Sequence, residues 1–317
     1  ALGALRTMVV RGRGEERANI VRTLQDKVKR YEVQKKTGAS HLLAARIAIA
    51  LQEPGEALDR ALLAVDELPD RGSSWRVLGE AAMVAEQWGT AWDALKRAAD
   101  LGLDAKAGTW ERMADVLDEM GELEGAESAA RTAVEKTGSD PHARRKRLNM
   151  LASILKHRGD LDGARATVEQ ALEFGPSDPA VLHNAAAIAD ARGEIDDSLA
   201  LYNLALDAHL VPMTSWRRGH LLLRLDRRQE AVEAFTAAAA HIDEWTWPRS
   251  TRWWPAYDVG RLYARAGYES KAIGWFEDAM RLARTGDAIR DIRSWLSYAR
   301  VKAGAKKRKR SDAPDPA

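Results

Sequence analysis

The sequence predicts an all-α fold, a solenoid of about seven stacked helix pairs with a C-terminal capping helix. Three observations predict it. Apolar and small residues recur with a period close to 34 residues, glycines and capping residues punctuate that period, and small residues stand where two helices must approach closely. A single helix pair cannot bury its own apolar face, so the pairs have to stack on one another.

The repeat is visible in the spacing of apolar and small residues. Counted from Trp75, they follow at spacings of 3, 4, 7, 16, 20 and 23 residues. Similar series begin at His41, Trp110, Leu148, Leu182, Ser215 and Ala256. The repeats start near residues 38, 72, 107, 145, 179, 212 and 253, at intervals of 34, 35, 38, 34, 33 and 41. Seven copies of one period are a strong signal, although the first copy is degenerate and the two longest intervals indicate interruptions.

Turn and capping signals agree with this period. Turns between the two helices of a repeat are predicted at Gln87-Trp88-Gly89, Gly121, Gly159, Gly193 and Gly267. The sequence Ser-Asp-Pro at 139–141 and 177–179 places a capping residue before a proline, which suits the start of a helix. Residues 286–304 are predicted to form the capping helix over the last repeat.

These residues resemble the tetratricopeptide repeat (TPR) family over about residues 38–285. The resemblance implies a right-handed superhelical solenoid in which positions 2, 5, 9 and 12 of each first helix line a concave groove. It also implies a non-enzymatic adaptor or scaffold that binds a protein or peptide partner in that groove. Transferred to this chain, the groove would change from acidic through basic to aromatic.

The resemblance supplies the candidate partner-binding residues. They are Asn149, Ser153, Asn184, Trp216, Arg217, His220, Trp254, Tyr257 and Arg261. One subfamily grips the carboxylate of a peptide C-terminus with a Lys/Asn/Asn/Lys/Arg set. Here Asn184 and Arg217 match that set, whereas both Lys positions are lost, which argues against such a clamp. The alternative that these polar residues simply face water stays open.

The segment 241–258 is unusually rich in tryptophan and accompanies the longest interval. Its Trp245, Trp247 and Trp253 allow two interpretations. They form an aromatic surface for a proline-containing peptide or a sugar ring, or they fasten a loop onto the solenoid. Trp75 and Trp110 occupy the packing position of the family and are assigned to the core.

Several classes of chemistry lack their residues. The chain has no cysteine, which excludes disulfides, thiolate metal sites and a cysteine nucleophile. It has no Gly-rich phosphate loop and no motif of zinc proteases, serine hydrolases or EF-hands. We therefore predict no catalytic residue, no metal and no cofactor, and we interpret His183 and His220 as polar groove residues. No apolar run is long enough to span a membrane, and we predict a cytoplasmic protein without a transmembrane segment.

The two ends are basic, whereas the middle of the chain is acidic. Residues 1–37 are predicted to form an amphipathic helix and linker that docks on the first repeat, joins an upstream domain or pairs two copies into a homo-oligomer. Residues 305–317 are predicted to be a basic disordered tail. Because the body is acidic, nucleic acid is an unlikely partner.

A second function hypothesis is an accessory TPR region of a larger enzyme, such as a cell-surface polysaccharide glycosyltransferase or polymerase, with the catalytic domain outside this chain. It is motivated by the start without Met and by the segment WWPAYDVGRLYARAG, which is similar to repeat arrays fused to such transferases.

Overall fold

A computed structural model describes residue 23 and residues 37–209, 212–244 and 251–311 of the chain. Apart from residue 23, the N-terminal helix predicted within residues 1–37 lies outside this part, as do Trp245 and Trp247. The described residues form fifteen α-helices and contain no strand. The chain divides into an N-terminal unit that ends at Gly175 and a C-terminal unit that begins at Pro176.

The N-terminal unit contains four helix pairs. Its helices are α1 Gly38–Leu51, α2 Pro54–Glu67, α3 Gly72–Val84, α4 Trp88–Ala98, α5 Ala107–Glu119, α6 Leu123–Glu135, α7 Pro141–Arg158 and α8 Leu161–Glu173. Within the unit each helix packs against the next one along the chain. We call the first helix of each pair an A helix and the second a B helix.

The C-terminal unit contains three helix pairs and a final helix. Its helices are α9 Pro179–Arg192, α10 Ile195–Ala208, α11 Pro212–Arg224, α12 Arg228–Ala240, α13 Trp254–Arg265, α14 Glu269–Leu282 and α15 Gly286–Ser311. Here too, consecutive helices pack together. The final helix α15 packs on α14 through Ala288, Ile292, Leu296 and Ala299. It continues to Ser311 and so includes part of the segment that composition predicts to be a disordered tail.

Every turn between an A helix and its B helix contains one residue with left-handed backbone. At four turns this residue is the predicted glycine, with Gly121, Gly159, Gly193 and Gly267 at φ between 78° and 85°. At the other three turns it is Gln52, Glu86 or Asp226. The prediction at Gly89 was therefore wrong, because the turn residue is Glu86 and Gly89 lies inside α4.

Aspartate caps start two A helices, as the Ser-Asp-Pro sequences predict. The Asp140 carboxylate accepts from the backbone N–H of His142 at 3.0 Å, and Asp178 accepts from Ala180 at 3.0 Å. Because Asp140 caps α7, this helix begins at Pro141, four residues before the repeat start near 145. The 38-residue interval thus reflects a longer α7, which has 18 residues, and not an insertion between repeats.

Small residues allow the helices of a pair to approach closely. A Cβ atom on Gly79 would stand 2.7 Å from Cγ of Leu95, and one on Gly260 would stand 2.7 Å from the ring of Phe276. Both partner side chains are fully buried. These glycines occupy the same position in different repeats, which is why the spacing pattern detects them.

Trp75 and Trp110 occupy one position in successive repeats and make the same contact. Each indole N–H donates to the backbone carbonyl six residues earlier, on Pro69 at 2.6 Å and on Asp104 at 2.5 Å. Both rings are half-buried rather than fully enclosed. Each ring therefore ties the connection before its A helix onto that helix.

Candidate binding site

Two tryptophans from neighbouring A helices stack in the C-terminal unit. The rings of Trp216 on α11 and Trp254 on α13 have centroids 4.9 Å apart and planes inclined by 24°. The indole N–H of Trp216 donates to Oδ2 of Asp258 at 2.8 Å, and Nε2 of His220 lies 3.1 Å from the same oxygen. Because Trp216 and His220 are one helical turn apart, a single carboxylate from α13 orients both.

Arg217 adds a cation to this cluster. Its guanidinium carbon lies 5.8 Å from the centroid of the Trp216 ring, and the residue is exposed. Within the described part of the chain, no carboxylate lies within ion-pair distance of it. Asp258, by contrast, has a side chain that is only 12% exposed. The cluster therefore offers half-buried aromatic rings, a shielded acceptor and an exposed cation.

Tyr257 and Arg261 are engaged with their own chain. Tyr257 is buried, and its hydroxyl donates to Asp291 on α15. Burial raises the pKa of Tyr257, and the bond to Asp291 raises it further. The guanidinium of Arg261 lies 5.4 Å from the Tyr257 ring centroid and 5.7 Å from that of Trp295. These two predicted groove residues connect α13 to α15.

Trp253 also packs inward. Its ring meets that of Tyr257 edge to face at 5.1 Å and contacts the apolar core between α13 and α15. This packing favours the interpretation of Trp253 as a structural residue. The other two tryptophans of the predicted aromatic surface, Trp245 and Trp247, lie outside the described residues.

Polar contacts join α9 to α11 as well. Nδ1 of His183 lies 2.9 Å from the Thr214 hydroxyl, and Arg224 pairs with Asp190. Asn184, the neighbour of His183 on α9, is half-buried. The A helices of the C-terminal unit are thus linked in series, from α9 through α11 and α13 to α15.

The N-terminal unit links its A helices by ion pairs. Arg112 on α5 pairs with Glu80 on α3 at 2.6 Å, and Nδ1 of His157 on α7 lies 2.9 Å from Asp118 on α5. The predicted groove residues Asn149 and Ser153 lie on α7 and are half-buried. They belong to the N-terminal unit, whereas the other seven predicted groove residues belong to the C-terminal unit.

Glu111 is the most enclosed member of these ion pairs. It is 9% exposed and pairs with Lys146 and with Nε of Arg147, the latter at 3.1 Å. Burial alone would raise its pKa, but the charges of Lys146 and Arg147 outweigh burial and lower the pKa of Glu111.

Asp115 lies on α5 between Glu111 and Asp118. Among the described side chains, it forms no ion pair. The residue is exposed by surface area, yet the protein around its carboxylate is dense. This desolvation raises the pKa of Asp115, and the negative charge of Glu111 adds to the rise, against Lys146 and Arg112.

Sequence reasoning missed the carboxylates that orient the aromatic residues. Asp258 and Asp291 stand outside the four groove positions of the repeat, so the register did not select them. A sequence signal for Asp258 did exist. This residue stands directly after the groove position of Tyr257, on the A helix that comes after the one carrying Trp216.

No protein-family model and no curated protein matches this sequence. Solved structures do match in fold. The crystal structure of yeast Tom70 aligns with 95% of this chain and 62% of its own, at 18% identity and a TM-score of 0.67. The APC/C hetero-tetramer Cut9–Hcn1 aligns over 94% of this chain and 55% of its own, at 14% identity and a TM-score of 0.60. YrrB, described as a TPR protein with an unusual peptide-binding site, aligns with 59% of this chain and 94% of its own, at 18% identity and a TM-score of 0.45.

The first two matches span nearly the whole chain, and this chain spans less than two thirds of either of them. Both are tetratricopeptide repeat proteins. Within the described residues, no helix has the length and hydropathy needed to cross a bilayer. The fifteen helices, their pairing and these matches agree with the sequence prediction: the chain has the tetratricopeptide repeat fold.

Proposed function

We propose that this protein is a non-enzymatic adaptor or scaffold and that it binds a protein segment on the A helices of its C-terminal unit. The observation that carries the proposal is the stacked pair Trp216 and Trp254 beside the exposed Arg217. Tryptophan and arginine dominate the energetics of protein interfaces, because they contribute large contact area. Side chains already held in place lose little entropy on binding.

Asp258 provides this preorganisation. It accepts from the indole N–H of Trp216 and approaches His220. These contacts fix the ring of Trp216, against which Trp254 stacks. A partner residue would meet a fixed aromatic surface rather than a mobile one. Asn184 remains a proposed secondary contact, whereas Asn149 and Ser153 lie in the N-terminal unit and stay predictions from the sequence.

The surroundings of His220 make it part of the aromatic cluster. Its imidazole is packed edge to face against Trp216 at 4.5 Å and against Phe235 at 5.0 Å, and Nε2 faces Asp258. These contacts of His220 position the tryptophan beside it.

The experiment is a selection of displayed peptides on the full-length chain, followed by affinity measurements on the enriched peptides. Trp254→Ala is expected to weaken binding at least tenfold, which is the loss typical of a hot-spot residue. Arg217→Ala, at an exposed position, is expected to weaken it severalfold without affecting folding.

Leu204→Ala is the matched control, because Leu204 is 54% exposed and lies on α10, a B helix of the same unit. Its affinity should equal that of the unchanged protein. Enriched peptides that bind Trp254→Ala and Arg217→Ala as tightly as the parent, with all variants folded by circular dichroism, would refute the proposal.

A further inference from the structure

Summed over each unit, charge is segregated between the A helices and the B helices. In the C-terminal unit, the A helices α9, α11 and α13 carry six Arg and two Asp, whereas the B helices α10, α12 and α14 carry three Lys/Arg and eight Asp/Glu. The N-terminal unit has the same sign pattern, with nine basic and five acidic residues on A helices against five and eleven on B helices. The near-zero charge of the whole chain hides this division.

The acidic residues of the A helices in the C-terminal unit are already satisfied. Asp190 pairs with Arg224, and Asp258 contacts Trp216 and His220 and has Arg261 at 3.8 Å. They therefore present little unpaired negative charge to a partner.

Three arginines of these helices, Arg217, Arg218 and Arg265, have no carboxylate within ion-pair distance among the described residues, and two of the three are exposed. The exposed two are Arg217 and Arg265. Each lies over a tryptophan ring, at 5.8 Å from Trp216 and 5.8 Å from Trp295. The A helices that carry the aromatic pair thus have a positive character that the B helices of the unit lack.

We infer that the partner of this face is an acidic protein segment, with Asp or Glu next to a proline or aromatic residue. The flat residue would lie against Trp216 and Trp254, and a carboxylate would meet the fork of Arg217, which suits bidentate pairing. Positive charge on A helices and negative charge on B helices would steer such a segment to the correct side of each pair. This inference rests on the proposed function and names its partner class.

The acidic segment need not be a chain terminus. Of the five positions that would grip a free C-terminal carboxylate, Asn184 and Arg217 match the clamp, whereas Asn149, Ser153 and Met213 depart from it and both lysines are lacking. Recognition therefore depends on side-chain carboxylates, and an internal segment satisfies it.

A single-stranded nucleic acid is the other polyanion that stacks on tryptophan. It would require a series of cations along its phosphates. Among the described residues, the A helices of this unit leave two exposed arginines without a carboxylate partner, and acidic B helices flank them. This distribution favours a short acidic stretch in a protein over a continuous phosphate backbone.

The test uses a random peptide library selected on the full chain, on Arg217→Glu and on Arg228→Glu. Arg228 is the matched control, because it is an exposed arginine on the B helix of the same pair, with only an exposed partner in Asp226. The parent protein and Arg228→Glu should enrich peptides of net negative charge that contain proline or an aromatic residue. Arg217→Glu should lose this enrichment and bind the selected acidic peptides roughly tenfold more weakly.

Two further arms separate the alternatives. Amidation of the peptide C-terminus should leave the affinity unchanged, and replacing Asp and Glu by Asn and Gln should abolish it. A loss of affinity on amidation alone, or single-stranded RNA that displaces the peptides at lower concentration than they bind, would overturn the inference. Peptides that need Trp254 but show no excess of acidic residues would also overturn it, while leaving the proposed function intact.

Discussion

The two units connect successive A helices with different chemistry. In the N-terminal unit, charges of opposite sign do so, as in the pair of Glu80 with Arg112 and that of Glu111 with Arg147. In the C-terminal unit, Asp190 and Arg224 still join α9 to α11 as an ion pair, but α11 and α13 are also joined by Asp258, which serves both Trp216 and His220. One repeat register therefore supports two kinds of surface.

The difference matters for what each surface can bind. An ion pair consumes both of its charges, so the linked A helices of the N-terminal unit satisfy one another. A tryptophan that donates its N–H to a carboxylate keeps the rest of its indole surface for other contacts, and Trp216 uses part of it to stack on Trp254. The half-buried remainder is the contact area that the proposed partner would use.

The largest expected effect comes from breaking the enclosed ion pair of the N-terminal unit. Glu111→Ala should lower the free energy of unfolding by about 3 kcal/mol, because Arg147 would remain largely buried without its carboxylate. Urea unfolding followed by circular dichroism measures this. Asp258→Ala in the C-terminal unit should cost only about 1 kcal/mol, since the Trp216 and His220 donors are partly hydrated and Arg261, 3.8 Å away, keeps its contacts with the Tyr257 and Trp295 rings. Equal losses for the two variants would show that the units are held together in the same way.

The next largest loss of stability is expected when a methyl group is added where two helices pack closely. Gly260→Ala should destabilise the protein by about 2 kcal/mol, because the added methyl group would overlap the buried ring of Phe276. Thermal unfolding detects the change. Gly274→Ala is the control, since a Cβ atom there meets nothing within 4 Å and the residue lies inside α14. This variant should be neutral or more stable by up to about 1 kcal/mol. Destabilisation by Gly274→Ala would mean that helical glycines matter here for a reason other than packing.

Much of the fold could be predicted because its signals are local. Spacing located Gly260 opposite its buried neighbour, and Ser-Asp-Pro located the start of α9 at Pro179. The start of α7 was displaced because the register was extrapolated from Leu148, whereas the cap at Asp140 sets the helix end. In the second repeat, Gly89 suggested a turn that the backbone makes at Glu86 instead.

The site was less predictable, because its contacts join residues far apart in sequence. Family positions selected Trp216 and Trp254, but nothing local shows that their rings stack. The contact between Trp216 and Asp258 spans 42 residues and depends on how α13 lies against α11. Contacts of that kind bury Tyr257 and engage Arg261 with neighbouring rings, whereas Arg217 stays exposed.

The turns should behave alike in both units, in contrast to the side-chain contacts. Gly121→Ala in the N-terminal unit and Gly193→Ala in the C-terminal unit should each cost about 1 kcal/mol, because alanine is strained at their positive φ. The opposite change, Asp226→Gly, should be neutral or stabilise by less than about 1 kcal/mol. Melting temperatures of the three variants test this. A loss confined to one unit would show that the backbone, and not only the side chains, distinguishes the two.

The smallest effect concerns Asp115, whose raised pKa marks an unfavourable charge in the N-terminal unit. In the unfolded chain this carboxyl ionises near its ordinary pKa of about 4. As pH rises from there toward the higher pKa of the folded state, the folded protein holds a proton that the unfolded chain has released, and stability is lost. Asp115→Asn removes this loss. We expect its melting temperature to exceed that of the parent by about 2 °C at pH 8, a small gain because the residue is exposed, and to match it near pH 4. A gain in melting temperature of the same size at both pH values would mean that the carboxylate charge is not its cause. The negative charges of Glu111 and Asp118 would then not destabilise the ionised form of Asp115.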